Sequence, residues 1–252
     1  MSKTKHSKET MHCLNCAQPL EKHHRFCPNC GQSTQKEESI RSLMGHFLND
    51  YFSFDSKIVR SIKPLITEPG RLTIEYIEGK RIQYIPPFRL FIFLSIVFFL
   101  LLEWFNSTGS ANIEDELLDD SFWSTFFESW LPKLFFLLLP IFALIIARLY
   151  RKNSKGMLPH FLFALHYHST IFLIGIFYIL ASWVFYHLEW VTINQILLAI
   201  LGTYLLINLW LALKKVYQDS VKKTALKFIL LFISYQLILI ALTLILVVFS
   251  IL

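Results

Sequence analysis

Beyond residue 30 this 252-residue chain contains no cysteine, since all four lie between positions 13 and 30. Nothing downstream can therefore rest on disulfides or thiolate–metal bonds. Charge is also scarce, at 17% of residues, and is kept out of a series of long apolar runs from residue 87 onward. The opening M-S-K-T-K-H-S-K-E-T has no apolar stretch and no small-residue cleavage site. That predicts no secretory signal and leaves the N-terminal tail in the reducing cytosol, where paired thiols favour metal over disulfide. Catalytic signatures are missing: there is no H-E-x-x-H, no G-x-S-x-G, no Walker loop and no carboxylate pair within the apolar runs. The basic residues lack the aromatic interleaving of a nucleic-acid module, so no nucleic-acid partner is expected. No internal repeat of the kind that builds transporters is visible.

What is present is apolar surface. Hydrophobic residues make up 54% of the chain, phenylalanine occurs 24 times, and the mean hydropathy is +0.49. A soluble core cannot absorb so much in unbroken runs, so part of the solvent is lipid. A bilayer core takes roughly 20 apolar residues per helix. The sequence accordingly predicts an all-α integral membrane protein with about five spans, 87–105, 131–150, 161–187, 191–213 and 226–252. Ahead of them lie a polar, cysteine-bearing zone (1–38) and an amphipathic, basic zone (39–87). Arg89 and Glu103 bracket the first run near its ends, where long side chains can snorkel. Pro140 is a predicted kink in the second span, and the third and fifth are long enough to tilt or protrude.

Charge predicts orientation. With a cytosolic N-terminus, the inside segments 1–89, 148–160 and 214–227 hold fourteen, four and five Lys/Arg, which is 23 of 24. The outside retains Lys133 and the acidic run Glu114, Asp115, Glu116, Asp119 and Asp120. This split obeys the positive-inside rule and places Leu252 on the external, periplasmic side. Trp104, Trp130, Trp183 and Trp190 all fall at the outer interface, as an aromatic belt would.

In the middle zone Ile40, Leu43, Met44, Phe47, Leu48 and Tyr51 recur at helical spacing. Asp55 is a cap for a second helix through Ile58, Val59 and Ile62, stopped by Pro64. A third helix runs from Leu72 to Ile77 and ends at Gly79. Lys57, Arg60 and Lys63, then Arg71, Lys80, Arg81 and Arg89, punctuate the zone and are candidate lipid-headgroup contacts. Two readings stay open: a collar packed on the protein's own spans, or an in-plane anchor on anionic lipid.

Cys13 and Cys16 stand in H-C-L-N-C, and Cys27 and Cys30 in F-C-P-N-C-G, a C-x2-C-x10-C-x2-C spacing. Each C-x2-C puts two thiolates on one tight knuckle, and two knuckles close a tetrahedral S4 site suited to one structural Zn2+ per chain. With so little apolar core, metal would supply most of the folding free energy, about 10–16 kcal/mol in comparable peptides. Iron in the same site and a redox dithiol are the alternatives. His12, His23 and His24 adjoin the knuckles and are expected to be solvated, since four sulfurs fill the shell.

The third span opens P-H-F-L-F-A-L-H-Y-H-S-T, and intramembrane histidines are a functional hypothesis by default. At about 100° per residue, His166 and His168 project roughly 160° apart, so one straight helix cannot offer both to one metal. His160, His166 and His168, with Asn208 and Gln236, are read first as hydrogen-bonding glue between helices. A polar pocket for a proton or ligand comes second, and a metal centre third.

The stretch from Pro69, P-G-R-L-T-I-E-Y-I-E-G-K-R-I-Q-Y-I-P-P-F-R-L-F-I-F-L-S, with C-P-N-C-G-Q before it and F-A-L-H-Y-H-S after it, resembles the DUF3667 family of uncharacterised bacterial membrane proteins. G-K-R-x2-Y-I-x-P-F-R is the most specific part. The resemblance implies a zinc ribbon ahead of a multi-span domain in the bacterial cytoplasmic (inner) membrane, and no known activity. A looser topological likeness is to Yip1-type five-span proteins. The expectation is a non-enzymatic adaptor or organiser, its ribbon and basic zone engaging a cytosolic protein partner or anionic lipid; the alternative is a small-solute or lipid transporter using the polar pocket. Either is compatible with an oligomer.

Overall fold

Away from water a backbone must satisfy its own hydrogen bonds, and within one apolar segment only the α-helix does so. The computed structural model, which describes residues 11–21, 23–34, 57–107, 130–152 and 156–251, has five helices long and apolar enough to cross a membrane. In chain order the elements are β1 (Met11–His12), β2 (Pro19–Leu20), α1 (Lys57–Thr67), α2 (Arg71–Ile77), α3 (Pro87–Ser107), α4 (Leu131–Leu149), α5 (Leu158–His187), α6 (Val191–Tyr217) and α7 (Val221–Ile251). The described residues are thus all-α apart from a small cysteine-bearing hairpin, as predicted. The stripe from Ile40 to Tyr51, the Asp55 cap and the acidic run from Glu114 to Asp120 lie outside the described residues.

Several boundaries depart from expectation, α5 and α7 starting earlier at Leu158 and Val221, and two of the departures have clear physical reasons. Pro64 does not stop α1, which continues to Thr67. The lost N–H costs one ladder bond, but Pro64 and Leu65 are buried against the spans, and that packing outweighs it. α6 runs past its apolar stretch to Tyr217, so Lys214 and Lys215 fall in its last turn, where positive charge complements the helix dipole.

α5 is the centre of the bundle and packs on α3, α4, α6 and both short helices. Phe172 at its middle is fully buried, with the rings of Phe91, Phe98, Phe99 and Phe135 at centroid distances of 5.1 to 5.7 Å. Gly175 permits this, because a Cβ there would lie 2.5 Å from the Phe98 ring. α7 packs mainly along α4 and α6, meets α5 at Tyr235, and turns most of its surface outward.

The basic segments meet at one end of the bundle. Gly70, in the turn between α1 and α2, lies against Ala212 and Val216 of α6. Tyr217 stacks on Tyr150 at 3.9 Å, and Lys227 sits over the Tyr150 ring, also at 3.9 Å. Trp104 and Trp183 pair at 5.6 Å, near the opposite ends of α3 and α5.

Candidate metal centre and polar seam

The two knuckles have the same local structure because they have nearly the same local sequence, C-L-N-C-A-Q and C-P-N-C-G-Q. In the first, the Ala17 N–H donates to the Cys13 carbonyl and the Cys13 N–H to the Gln18 carbonyl, both at 2.9 Å. In the second, Gly31 donates to Cys27 at 2.9 Å and Cys27 to Gln32 at 2.8 Å. Both turns close through a left-handed residue, Ala17 at φ 59° and Gly31 at φ 73°. The four Sγ atoms lie within 4.8 Å of one another, and Cys13–Cys30 and Cys16–Cys27 are 3.6 Å apart. Four sulfurs about 2.3 Å from one ion stand about 3.8 Å apart at a tetrahedron's edges, so the donor set fits a metal ion of that kind. Among the described residues this is the one cluster of three or more such ligands that could hold a metal ion.

The thiols are free and unequal. The Gln18 backbone N–H lowers Cys16 to about 6, whereas burial pushes Cys30 up to about 12. His23 instead pairs with Glu21 at 3.3 Å, and His24 Nδ1 accepts from the Glu21 N–H at 3.1 Å.

The cysteine module is docked on the loop after α2. Gln32, buried next to the second knuckle, donates from Nε2 to the Gly79 carbonyl at 2.5 Å, and its Oε1 accepts the Arg81 N–H at 3.2 Å. Gly79 has φ 97°, and Leu14 of the first knuckle lies 2.7 Å from where a Cβ would be. Two parts of the family-like pattern, C-P-N-C-G-Q and G-K-R, thus meet at one contact. Sequence reading missed Gln32 as a clamp; its partner is 47 residues away.

The collar is held by a second network. Arg71 donates to Glu68 at 2.6 Å and to Glu75 at 3.0 Å, and Glu75 also accepts from Gln83 at 3.3 Å and from the Tyr84 hydroxyl. Burial alone would raise Glu75, but the Tyr84 hydroxyl and the Arg71 guanidinium hold it below the ordinary carboxylate range. Tyr84 is pushed up to about 12, first by burial and then by Glu75. The predicted headgroup contacts therefore divide. Arg71 is spent on Glu68 and Glu75, Lys80 pairs with Glu78 at 3.2 Å, and Arg81 lies over the Tyr76 ring at 5.2 Å. Arg60 and Lys63 are exposed, Lys57 and Arg89 half-buried.

The histidines of α5 are buried and reach three different neighbours. His160 Nδ1 bonds the Tyr217 hydroxyl of α6 at 2.8 Å, His166 Nδ1 bonds the Thr73 hydroxyl of α2 at 2.9 Å, and His168 Nε2 lies 3.3 Å from the Tyr235 hydroxyl of α7. His166, Thr73, Thr170 and Asn208 line one cavity of about 20 Å³. That is room for about one water molecule. Gln236 is half-buried on α7 and does not line that cavity. The hydroxyl partners Thr73, Tyr217 and Tyr235 escaped the sequence reading, because nothing local marks which hydroxyl will meet which ring.

Residues 55–99 match the model of a family described as "Protein of unknown function (DUF3667)". The match covers α1, α2, the clamped loop and most of α3, a narrower stretch than the whole-chain resemblance. No curated protein and no solved structure matches the chain.

Proposed function

We propose that this DUF3667 chain is a non-enzymatic adaptor of the bacterial inner membrane, in which four cysteines hold one structural Zn2+ and the ribbon presents a fixed face to a cytosolic protein partner. The observation that carries the reading is the Gln32 clamp. Its two hydrogen bonds seat the cysteine module on the collar instead of leaving it on a tether. Zinc is favoured by four thiolates on two knuckles, which complete a tetrahedral shell and leave no open position for a substrate. The module leaves Phe26 63% exposed, an apolar aromatic side chain suited to a protein partner. The 23-to-1 split of Lys/Arg supports a cytosolic ribbon and an external C-terminus, with Arg60 and Lys63 near anionic headgroups. The small size of the cavity at His166 weighs against solute transport through the polar seam.

Crosslinking of the full-length chain in native membranes, paired with metal analysis, tests this. Phe26→Ala should lose ribbon-specific crosslinks and keep the metal, whereas Cys27→Ser should lose both. Gln32→Ala should keep the metal and speed hydrogen exchange at the Arg81 amide. Solute flux into proteoliposomes that persists in Cys27→Ser would overturn the adaptor reading in favour of transport.

A further inference from the structure

The last ladder bond of α1 runs from the Glu68 N–H to the Pro64 carbonyl at 3.0 Å. The next carbonyl, that of Leu65, would take the N–H of residue 69, which is proline and has none. At the surface of a soluble protein water serves such helix-end carbonyls. Here a spanning helix does. Asn208 Nδ2 donates to the Leu65 carbonyl at 3.4 Å and to the Tyr204 hydroxyl at 3.1 Å, and that hydroxyl donates to the Ile66 carbonyl at 2.8 Å. One amide and one phenol cap two successive carbonyls.

The height of these caps along α6 matters. Tyr204 is the midpoint of α6, thirteen residues from Val191 and thirteen from Tyr217. Asn208 lies six residues before Lys214, the first charge at that end, or about 9 Å along the axis. A hydrocarbon core is about 30 Å thick, so a point about 9 Å inside the first lysine is still within one leaflet. At a shallower level the Ser61 hydroxyl accepts the Ile85 N–H at 2.9 Å, two residues before α3 begins at Pro87. α1 therefore descends from the mouth of one span to the flank of another. The side chains it turns outward on the way include the apolar Val59, 68% exposed, and Ile66, 38% exposed, beside Arg60, Lys63 and Thr67. Its exposed cations, Arg60 and Lys63, have stems long enough to reach back to the headgroups. The charges at the turn, Glu68 and Arg71, are paired.

We propose that α1 and the turn after it form a re-entrant element set into one leaflet, its end capped by Tyr204 and Asn208 and its outer face covered by lipid acyl chains. Backbone at that depth is stable only where protein donors replace water, and α6 supplies such donors to two successive carbonyls at the end of α1. The proposal rests on α6 spanning the membrane and is independent of the metal and of the adaptor role.

The test places trifluoromethyl-phenylalanine at Val59, Ile66, Leu206 or Lys152 of the full-length chain in lipid nanodiscs. Fluorine relaxation by dioxygen, which enters hydrocarbon, is compared with that by a water-soluble nickel chelate. Leu206, on the exposed face of α6, reports lipid, and Lys152 reports water. Ile66 is expected to follow Leu206, with dioxygen several-fold the more effective agent, and Val59 to fall between Ile66 and Lys152. Tyr204→Phe, which removes only the hydroxyl, should move Ile66 toward the Lys152 value and leave Leu206 in place. Ile66 matching Lys152 in the otherwise unaltered chain would overturn the proposal. So would exclusion of both agents from Ile66, which would mean that protein covers it. If Leu206 itself reported water, the spanning reading of α6 would have failed instead.

Discussion

Single residues at the metal centre act through geometry that their neighbours impose. Cys13 and Cys30 belong to different knuckles yet stand 3.6 Å apart, so losing either opens the shell from both sides. Cys13→Ser is expected to weaken metal binding by more than about 100-fold, roughly 2.7 kcal/mol, in competition titrations of the purified full-length chain with added zinc. His24→Ala should change it little, since His24 accepts from the Glu21 N–H. Loss of metal in the histidine variant would mean a mixed Cys/His site. Glu75 makes a separate, pH-dependent contribution. Its carboxyl is held below the ordinary range, so its stabilisation is complete at neutral pH and is lost as pH falls through the ordinary carboxylate range and then through the depressed value. Thermal unfolding across pH 3 to 7 should show a loss at the acid end that Glu75→Gln removes, at a cost on the order of 1 kcal/mol at neutral pH. An unchanged acid profile in that variant would place the sensitivity elsewhere.

At the scale of elements, turns decide how the pieces seat. Gly79 and Gly156 both have positive φ, 97° and 86°, but only Gly79 has a neighbour in the way, Leu14 at 2.7 Å. Alanine at either position carries the left-handed backbone penalty of about 1–2 kcal/mol. At Gly79 it must also push the first knuckle away from the collar, adding about 1–3 kcal/mol. Differential scanning of the two variants should therefore separate strain from clash. Equal losses would mean that the module yields without cost. The same logic explains why α1 continues through Pro64: an element ends where its packing ends, and here packing prevails over one missing N–H.

For the whole molecule the decisive quantity is the distribution of charge. The collar turn, the α4–α5 connection and the α6–α7 turn gather at one end, and 23 of 24 Lys/Arg fall on the segments assigned to that side. Reporter fusions after Gly156 and Ser220 are expected to read cytosolic, and fusions after Glu189 and at the C-terminus external. A cytosolic signal at the C-terminus would sink the odd number of spans.

The sequence by itself determined the class of fold, because long charge-free runs permit only helices in lipid, and each run declares itself locally. It determined the four-thiol site as well, since two C-x2-C turns are local structures that need only be brought together. It marked Gly79 as a helix end and the histidines of α5 as interhelical groups. Only the tertiary structure decided their partners: Gln32 for Gly79 and Arg81, Thr73 for His166, Tyr217 for His160, and Tyr204 and Asn208 for the carbonyls of α1. It also gave three of the seven predicted headgroup cations, Arg71, Lys80 and Arg81, partners within the collar. The reason is common to all of them. A helix or a knuckle follows from neighbours a few residues away, but a hydrogen bond across 47 or 143 positions depends on where every intervening element has packed.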